Sequence, residues 1–403
     1  MIPVTEALRI VVEKTEPLAT ERVPLDEAQG RVLAESVFAD TDLPPFDRAQ
    51  MDGYAVRSED LREVPARLRV VGEAAAGSGW RGTLKSGEAV RIMTGAPLPS
   101  GADSVQQVEV THETEDGAVV EIERATEPGQ FYVPRASEIE KGERVLEAGE
   151  EINAARMAVL ASFGYAAVPV RRRPRVSVLA TGTELVPVEE RPGEDQIRDS
   201  NSYSLAAYAR LAGATVERLP FAGDDPELLR AEVESAAARS DLLVLSGGVS
   251  MGRYDFTKAA LHALGAELFF ERVALRPGKP TVFARLPGGA LVFGLPGNPV
   301  SVSVTFNLFA RTALRVMQGA QGAAPFEETA VLARPAKGAA ERASYLPAAL
   351  STDTEGRLLA EPLKWGGSSD FVAFARATAL IIVPSGVKLI EAGSVVKVVR
   401  LPV

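Results

Sequence analysis

DLLVLSGGVSMG, residues 241–252, carries an unbroken apolar run into paired glycines. VSVLATGTEL at 176–185 and LVFGLPGNPVS at 291–301 have the same form: apolar strand, small or glycine-rich turn, helix start. Strands apolar at every position are buried on both faces, as in a parallel sheet covered by helices. Helical spacing fills the intervals around Tyr203–Leu211, Asp225–Arg239, Asp255–Leu264 and Pro299–Met317. The alternation predicts a mostly parallel, doubly wound α/β domain over 173–322, with the strand AELFFERVAL and the paired strands TVFARL and ALVFGL inside it. In such sheets ligands bind beyond the carboxyl ends of the strands, where glycine admits close approach and helix N-termini offer free N–H groups to anions. Three such loops in one domain imply one shared anion pocket. None fits G-x-x-x-x-G-K-[ST] or G-x-G-x-x-G, so a P-loop or dinucleotide fold is not expected.

Outward from this domain the texture changes. MIPVTEALRIVVEKTEP at the N-terminus has acids at Glu6 and Glu13 and helical apolar spacing, which predicts a first helix rather than a signal peptide. DLPPFDRAQMDGYAV (42–56) predicts an irregular loop, because Pro44, Pro45 and Gly53 disfavour regular backbone. Residues 68–145 hold short alternating segments between turn residues, a small all-β domain. NAARMAVLASF (153–163) predicts a helix capped by Gly164, and RRRPR (171–175) a solvated basic linker. After QGAAPF the rest is strand-like and predicts a closing β-barrel or sandwich.

The 403 residues exceed what one core serves, and 46% hydrophobic with 24% charged residues is globular usage. Lys plus Arg number 44 against 54 Asp plus Glu, a net charge of -10 that disfavours a nucleic-acid binder. With no Cys and two His, thiolate chemistry and histidine-rich metal sites have no material. No stretch approaches the roughly 18 apolar residues of a membrane span, so a cytoplasmic location is expected. Chemistry must run on carboxylates, hydroxyls, backbone amides, Lys and Arg.

Acids at Glu184, Asp199, Asp224, Asp225 and Asp255 follow predicted strands or open helices. Helix capping is the ordinary role there, and for Asp225 the favoured one. Glu184 and Asp255 directly follow glycine-rich turns, where carboxylates and phosphate oxygens together suit Mg²⁺. Arg272, Arg276 and Lys279 in ERVALRPGKP, stiffened by Pro277 and Pro280, form either a cationic clamp or a decorated surface turn.

DLPPFDRAQMDGYAV, RIMTGAPLPSGAD, ATGTEL, QIRDSN, SGGVSMGRYDFTK, RPGKP and GLPGNPVS occur in the order and spacing of the molybdopterin molybdenumtransferases, the molybdenum insertases that include the gephyrin E domain. The chain resembles that family over nearly its whole length. The resemblance implies a multidomain α/β plus β fold: a linking domain (1–44 and 140–172), an inserted β domain (45–139), an α/β molybdopterin-binding domain (173–322) related to molybdopterin adenylyltransferases, and a C-terminal β-barrel (325–403). It implies transfer of molybdate onto adenylylated molybdopterin with release of AMP and assistance from Mg²⁺. Matched motif by motif, it implies catalytic Asp52, Thr94, Glu184, Asp224 and Asp255, the last three also holding metal. Thr181, Gly182, Ser246, Gly247, Gly248, Ser250, Arg272, Arg276, Lys279, Pro296, Gly297, Asn298, Pro299 and Ser368 are the implied substrate-binding residues. A homodimer with shared sites and an adenylyltransferase partner are further implied, with neither nucleic acid nor membrane as partner.

Arg253, Glu138 and Ala49-Gln50 depart from the family's usual residues; Arg253 weakens any metal-binding role at its position, whereas Glu138 keeps the charge. An adenylyltransferase, a tungstate-specific insertase and a non-catalytic pterin-binding scaffold stand as alternatives. MDGYAV, the inserted β domain and the barrel favour the insertase over the first, and the retained acids favour chemistry over the last.

Overall fold

The structure is a computed structural model that describes residues 1–221, 226–248 and 256–402. The chain forms two compact units, one of Met1–Glu35, Ala148–Met157 and Ala167–Val403, the other of Ser36–Glu147 and Ala158–Ala166.

The first unit contains the α/β sheet. Its elements are β1 (Arg175–Ala180), α1 (Asn201–Leu211), β2 (Thr215–Arg218), α2 (Pro226–Ala237), β3 (Leu242–Ser246), α3 (Phe256–Ala263), β4 (Glu267–Phe270), β5 (Val282–Arg285), β6 (Leu291–Leu295) and α4 (Pro299–Thr305). The strand order is β2-β1-β3-β6-β5-β4; the first four run parallel, and β5 and β4 are added antiparallel. The period-2 alternation of strand side chains decides which helices cover which face. Val176, Val178, Leu242, Val244 and Phe293 join a core with Leu205 of α1, Val300 of α4 and Val4 and Val11 of the N-terminal helix. Leu243, Leu245 and Val292 join the opposite core with Leu229 and Val233 of α2 and Leu261 of α3. Each such side chain, fully buried, contributes roughly 1.5–3 kcal/mol, and burial on both faces is why these strands are apolar throughout. The expected helix over Pro299–Met317 is present, interrupted by a π-helical stretch at Phe306–Ala310.

In the same unit, strands Glu327–Leu332, Ala343–Thr352, Leu358–Pro362, Ala379–Val383 and Val395–Arg400 close on themselves. Ala343–Thr352 pairs with both Leu358–Pro362 and Ala379–Val383, and the remaining pairings complete a five-stranded barrel around Leu346, Ile381, Val383 and Val398. A short strand, Leu275–Arg276, adds in parallel to Ala343–Ser344 at its rim. An antiparallel ribbon, Thr20–Pro24 against Ala167–Arg171, precedes the α/β sheet.

RRRPR differs from the expected solvated linker. Arg171 donates to the Leu18 carbonyl at 2.9 Å, Arg172 grips both oxygens of Asp241 at 2.6 and 2.7 Å, and Arg173 donates to the Gly213 carbonyl at 3.1 Å. The cause is local: Asp241 lies just ahead of β3, its backbone N–H bonded to the Arg175 carbonyl, so one carboxylate collects the arginines entering β1.

The second unit is a six-stranded sheet in the order Ser104–Gln107, Gly53–Val56, Glu88–Ile92, Ala66–Ala74, Val119–Ile122, Thr111–Thr114. GYAV, expected as part of an irregular loop, is an inner strand. Gly53 allows it, because a Cβ there would meet the Gln106 carbonyl oxygen at 2.0 Å. Tyr54 and Val56 then enter one core, with Leu68 and Val120, and Ala55 the other, with Val90 and Val105.

Candidate active site

Strands β1, β3 and β6 are neighbours in the sheet, and Ala180, Ser246 and Leu295 lie side by side at their carboxyl ends. The three glycine-rich loops therefore leave the sheet at one level. Their ladder continues briefly, with Thr181 N–H on the Ser246 carbonyl at 2.8 Å and Gly247 N–H on the Leu295 carbonyl at 3.1 Å. Gly247, at φ +98°, sits where a Cβ would come within 2.5 Å of the Thr181 carbonyl oxygen, and a Cβ on Gly248 would meet the Thr257 hydroxyl at 2.8 Å. Glycine is what lets these loops converge.

They enclose a cavity of about 930 Å³ lined by Thr181, Gly182, Glu184, Ser246, Gly247, Gly248, Pro296, Gly297, Asn298 and Pro299. Glu184 is exposed, and its carboxylate lies over Gly182, within 2.4 Å of where a Cβ would project. Asn201, whose role the sequence left unassigned, ties the loops together: its Nδ2 donates to Ser246 Oγ at 2.9 Å and to the Gly297 carbonyl at 2.7 Å. Its Oδ1 is buried without a partner among the described residues. Asp199 accepts the backbone N–H of Ser202 at 3.0 Å and the Ser202 hydroxyl, and so secures the first turn of α1 that carries Asn201.

A second cavity of about 700 Å³ shares Pro280, Pro296 and Asn298 with the first and is lined by Arg276, Lys279, Lys337, Arg342 and Ser368. Among the described residues no carboxylate lines it. Pairing with Ala343–Ser344 fixes the Leu275–Arg276 strand, and Asn298 Nδ2 donates to Ser368 Oγ at 2.9 Å, joining the α/β loop to the barrel side. Lys337 and Arg342 come from barrel segments that lack the strand-glycine-helix form, so no sequence signal marked them. Arg272 lines neither cavity; its carbonyl accepts the Ile2 N–H at 3.1 Å. The contiguous cavities offer amides with Glu184, Asp199 and Arg198 at one end and four cations at the other, a suitable reception for a long ligand bearing several oxyanions.

Asp52 and Thr94 belong to the second unit, where the Asp52 carboxylate receives both the N–H and the hydroxyl of Thr94. These bonds, the backbone one foremost, hold the Asp52 carboxyl below the usual carboxylate range. Glu138 pairs with Arg48 at 3.6 Å. Asp224, Asp225, Ser250, Arg253 and Asp255 lie outside the described residues. Among the described residues no group of three or more His, Asp or Glu side chains converges as metal ligands.

Three family models match the chain: MoeA N-terminal region (domain I and II) over residues 2–164, probable molybdopterin binding domain over 177–316, and MoeA C-terminal region (domain IV) over 329–401. The molybdopterin molybdenumtransferase of Bacillus subtilis (strain 168) is 37% identical, covering 99% of this chain and 94% of its own length. That of Nostoc sp. is also 37% identical, covering 95% and 89% respectively. The crystal structure of a molybdopterin biosynthesis MoeA protein from Pyrococcus horikoshii OT3 superposes with a TM-score of 0.85 at 29% identity, covering 100% of both chains.

Proposed function

This chain belongs to the molybdopterin molybdenumtransferase family, hence to the enzymes of molybdenum cofactor biosynthesis, and on that premise we propose how its two cavities divide the reaction. Adenylylated molybdopterin lies along the contiguous cavities, molybdate is delivered to its dithiolene, and AMP leaves. The observation that carries this reading is the shared wall of Pro280, Pro296 and Asn298 between a glycine-loop cavity and a cavity lined by four cations and, among the described residues, no acid.

Loop amides of Ser246–Ser250 and Gly297–Asn298, with Arg276 and Lys279, hold the phosphate and molybdate oxygens; low polarity around such fixed donors strengthens each contact. Asn201 keeps two of the loops at a constant separation and so fixes the spacing of the donors they present. Glu184 suits Mg²⁺, which takes one or two protein carboxylates and fills its other positions with water and phosphate oxygens; Asp224 and Asp255 complete the proposed ligand set. When bound, that ion would neutralise charge developing on the phosphoanhydride.

Asp52 and Thr94 act, in this reading, on the site of a partner subunit in a cytoplasmic homodimer, and a molybdopterin adenylyltransferase supplies the substrate. Two measurements test the proposal. Glu184→Ala should bind the pterin yet release AMP at a small fraction of the normal rate, and unchanged release would remove Glu184 from the chemistry. Co-expressed Asp52→Ala and Asp255→Ala chains, isolated as the mixed dimer, should recover about half of wild-type activity, since sharing places both lesions in one site and leaves the other intact. A mixed dimer as inactive as its parents would mean that each chain builds its own site.

A further inference from the structure

A third hollow lies at the other end of β1. Ala180 closes that strand in the first cavity, while Arg175 opens it beside Glu21, Arg31, Arg172, Arg173 and Thr215, which line about 460 Å³. Five strand steps of about 3.3 Å each separate the two ends by roughly 16 Å.

Four guanidinium groups meet here in a chain whose net charge is -10. Two carboxylates answer them. Asp241 accepts both terminal nitrogens of Arg172 and the Arg175 N–H at 2.8 Å. Burial alone would raise its pKa, but those arginine bonds outweigh burial and hold the carboxyl in its charged form. Glu21 accepts Arg31 Nη2 at 2.5 Å.

With Glu21 matched to Arg31 and Asp241 shared between Arg172 and Arg175, a surplus of positive charge remains, and Arg173 carries it most plainly. Arg31 is only 5% exposed and uses a single nitrogen for its protein bonds, to Glu21 and to the Arg171 carbonyl. Arg173 has no acid partner among the described residues and uses Nη1 alone, on the Gly213 carbonyl. Although its side chain is exposed, partial desolvation foremost, and then the charge of Arg31, disfavour its protonated form. Like charges held together in a partly buried hollow are stable when an anion lies between them. Their unused N–H groups, with the Thr215 hydroxyl, form a donor set of the kind that grips tetrahedral oxyanions.

We propose that this hollow binds a phosphate dianion, free or carried as the monoester of a small metabolite, at a site separate from the two reaction cavities. The ligand would join three parts of the fold: Arg31 beside the ribbon, Arg173 in the connecting segment, and Arg175 with Thr215 at the start of the sheet. The hollow is larger than an inorganic ion, which leaves room for an organic tail.

The test is calorimetric titration of the full-length chain with inorganic phosphate and, separately, ribose 5-phosphate, at ionic strength held constant with chloride. Arg276→Ala/Lys279→Ala removes cations of the second cavity and is used as the background. A saturable site should persist there, and adding Arg173→Gln should weaken it at least about tenfold, the loss of one charge-assisted contact. Thr215→Val deletes a hydroxyl without a partner among the described residues, leaves every charge in place, and should weaken binding several-fold; it carries the test if the arginine variant does not fold. Tighter binding of ribose 5-phosphate identifies a monoester site, and equal binding identifies the free ion. Absence of a saturable site for both probes in the background variant, or unchanged affinity in the folded Arg173→Gln or Thr215→Val protein, would overturn the proposal.

Discussion

The Asp52 carboxylate is bound to Thr94 through one oxygen: Oδ1 receives the backbone N–H at 2.6 Å and the hydroxyl at 2.8 Å. Oδ2 has no partner among the described residues and stays available to a ligand.

Because folding lowers the Asp52 pKa, the pair contributes stability above the ordinary value near 3.8 and loses it as pH falls through the depressed folded value. Asp52→Asn should therefore be less stable than wild type at neutral pH, with the two melting-temperature curves converging below about pH 3.8. Curves that stay parallel on acidification would show that the Thr94 contacts add no stability through the charge.

Asn201→Ala removes two neutral hydrogen bonds, each contributing about 1 kcal/mol net, so affinity for the pterin should drop about thirtyfold. Asn201→Asp should not restore it, since a carboxylate oxygen would face the Gly297 carbonyl that now accepts from Nδ2. Titration with the pterin substrate reads both variants, and full affinity in Asn201→Ala would show that the loops hold their spacing unaided.

Gly247→Ala and Gly289→Ala separate backbone strain from crowding. Both glycines have left-handed φ, +98° and +92°, but a Cβ at 289 meets nothing within 4 Å, whereas one at 247 meets the Thr181 carbonyl oxygen. Urea unfolding should show about 1 kcal/mol lost at 289 and about 2–4 kcal/mol at 247, and only the latter should impair pterin binding. Equal losses would mean that the loop at 247 relaxes freely.

Lys337→Ala and Arg342→Ala test whether the second cavity acts as a unit. Each should weaken molybdate-dependent turnover about as much as Lys279→Ala, and the wild-type rate at subsaturating molybdate should fall with added salt. A salt-independent rate with both variants at full activity would reduce these cations to surface decoration.

The α/β domain was legible because burial on both faces writes continuous apolar strands, and because Gly247 and Gly248 sit at a strand end where left-handed φ and close contacts require glycine. GYAV was not. Prolines and Gly53 looked like loop chemistry, yet Gly53 is required by contact with Gln106, a residue remote in sequence. RRRPR looked like a solvated boundary because its anchor, Asp241, lies far along the chain. Lys337 and Arg342 reach the second cavity only through the closure of the barrel, a long-range event with no local pattern. No local pattern marks Asn201, because its bridging role exists only once two loops flank it.

Pairing of Leu275–Arg276 with Ala343–Ser344 has a consequence for how this chain tolerates change. Side chains alternate across a strand, so a one-residue slip in that pairing would turn Arg276 out of the second cavity. The cavity is thus jointly owned by two segments whose alignment neither encodes alone. Insertions at the exposed turn near Gly356 should be absorbed by the barrel, whereas a single-residue insertion between Arg342 and Ser344 would leave every functional side chain in the sequence and still disassemble the cation set.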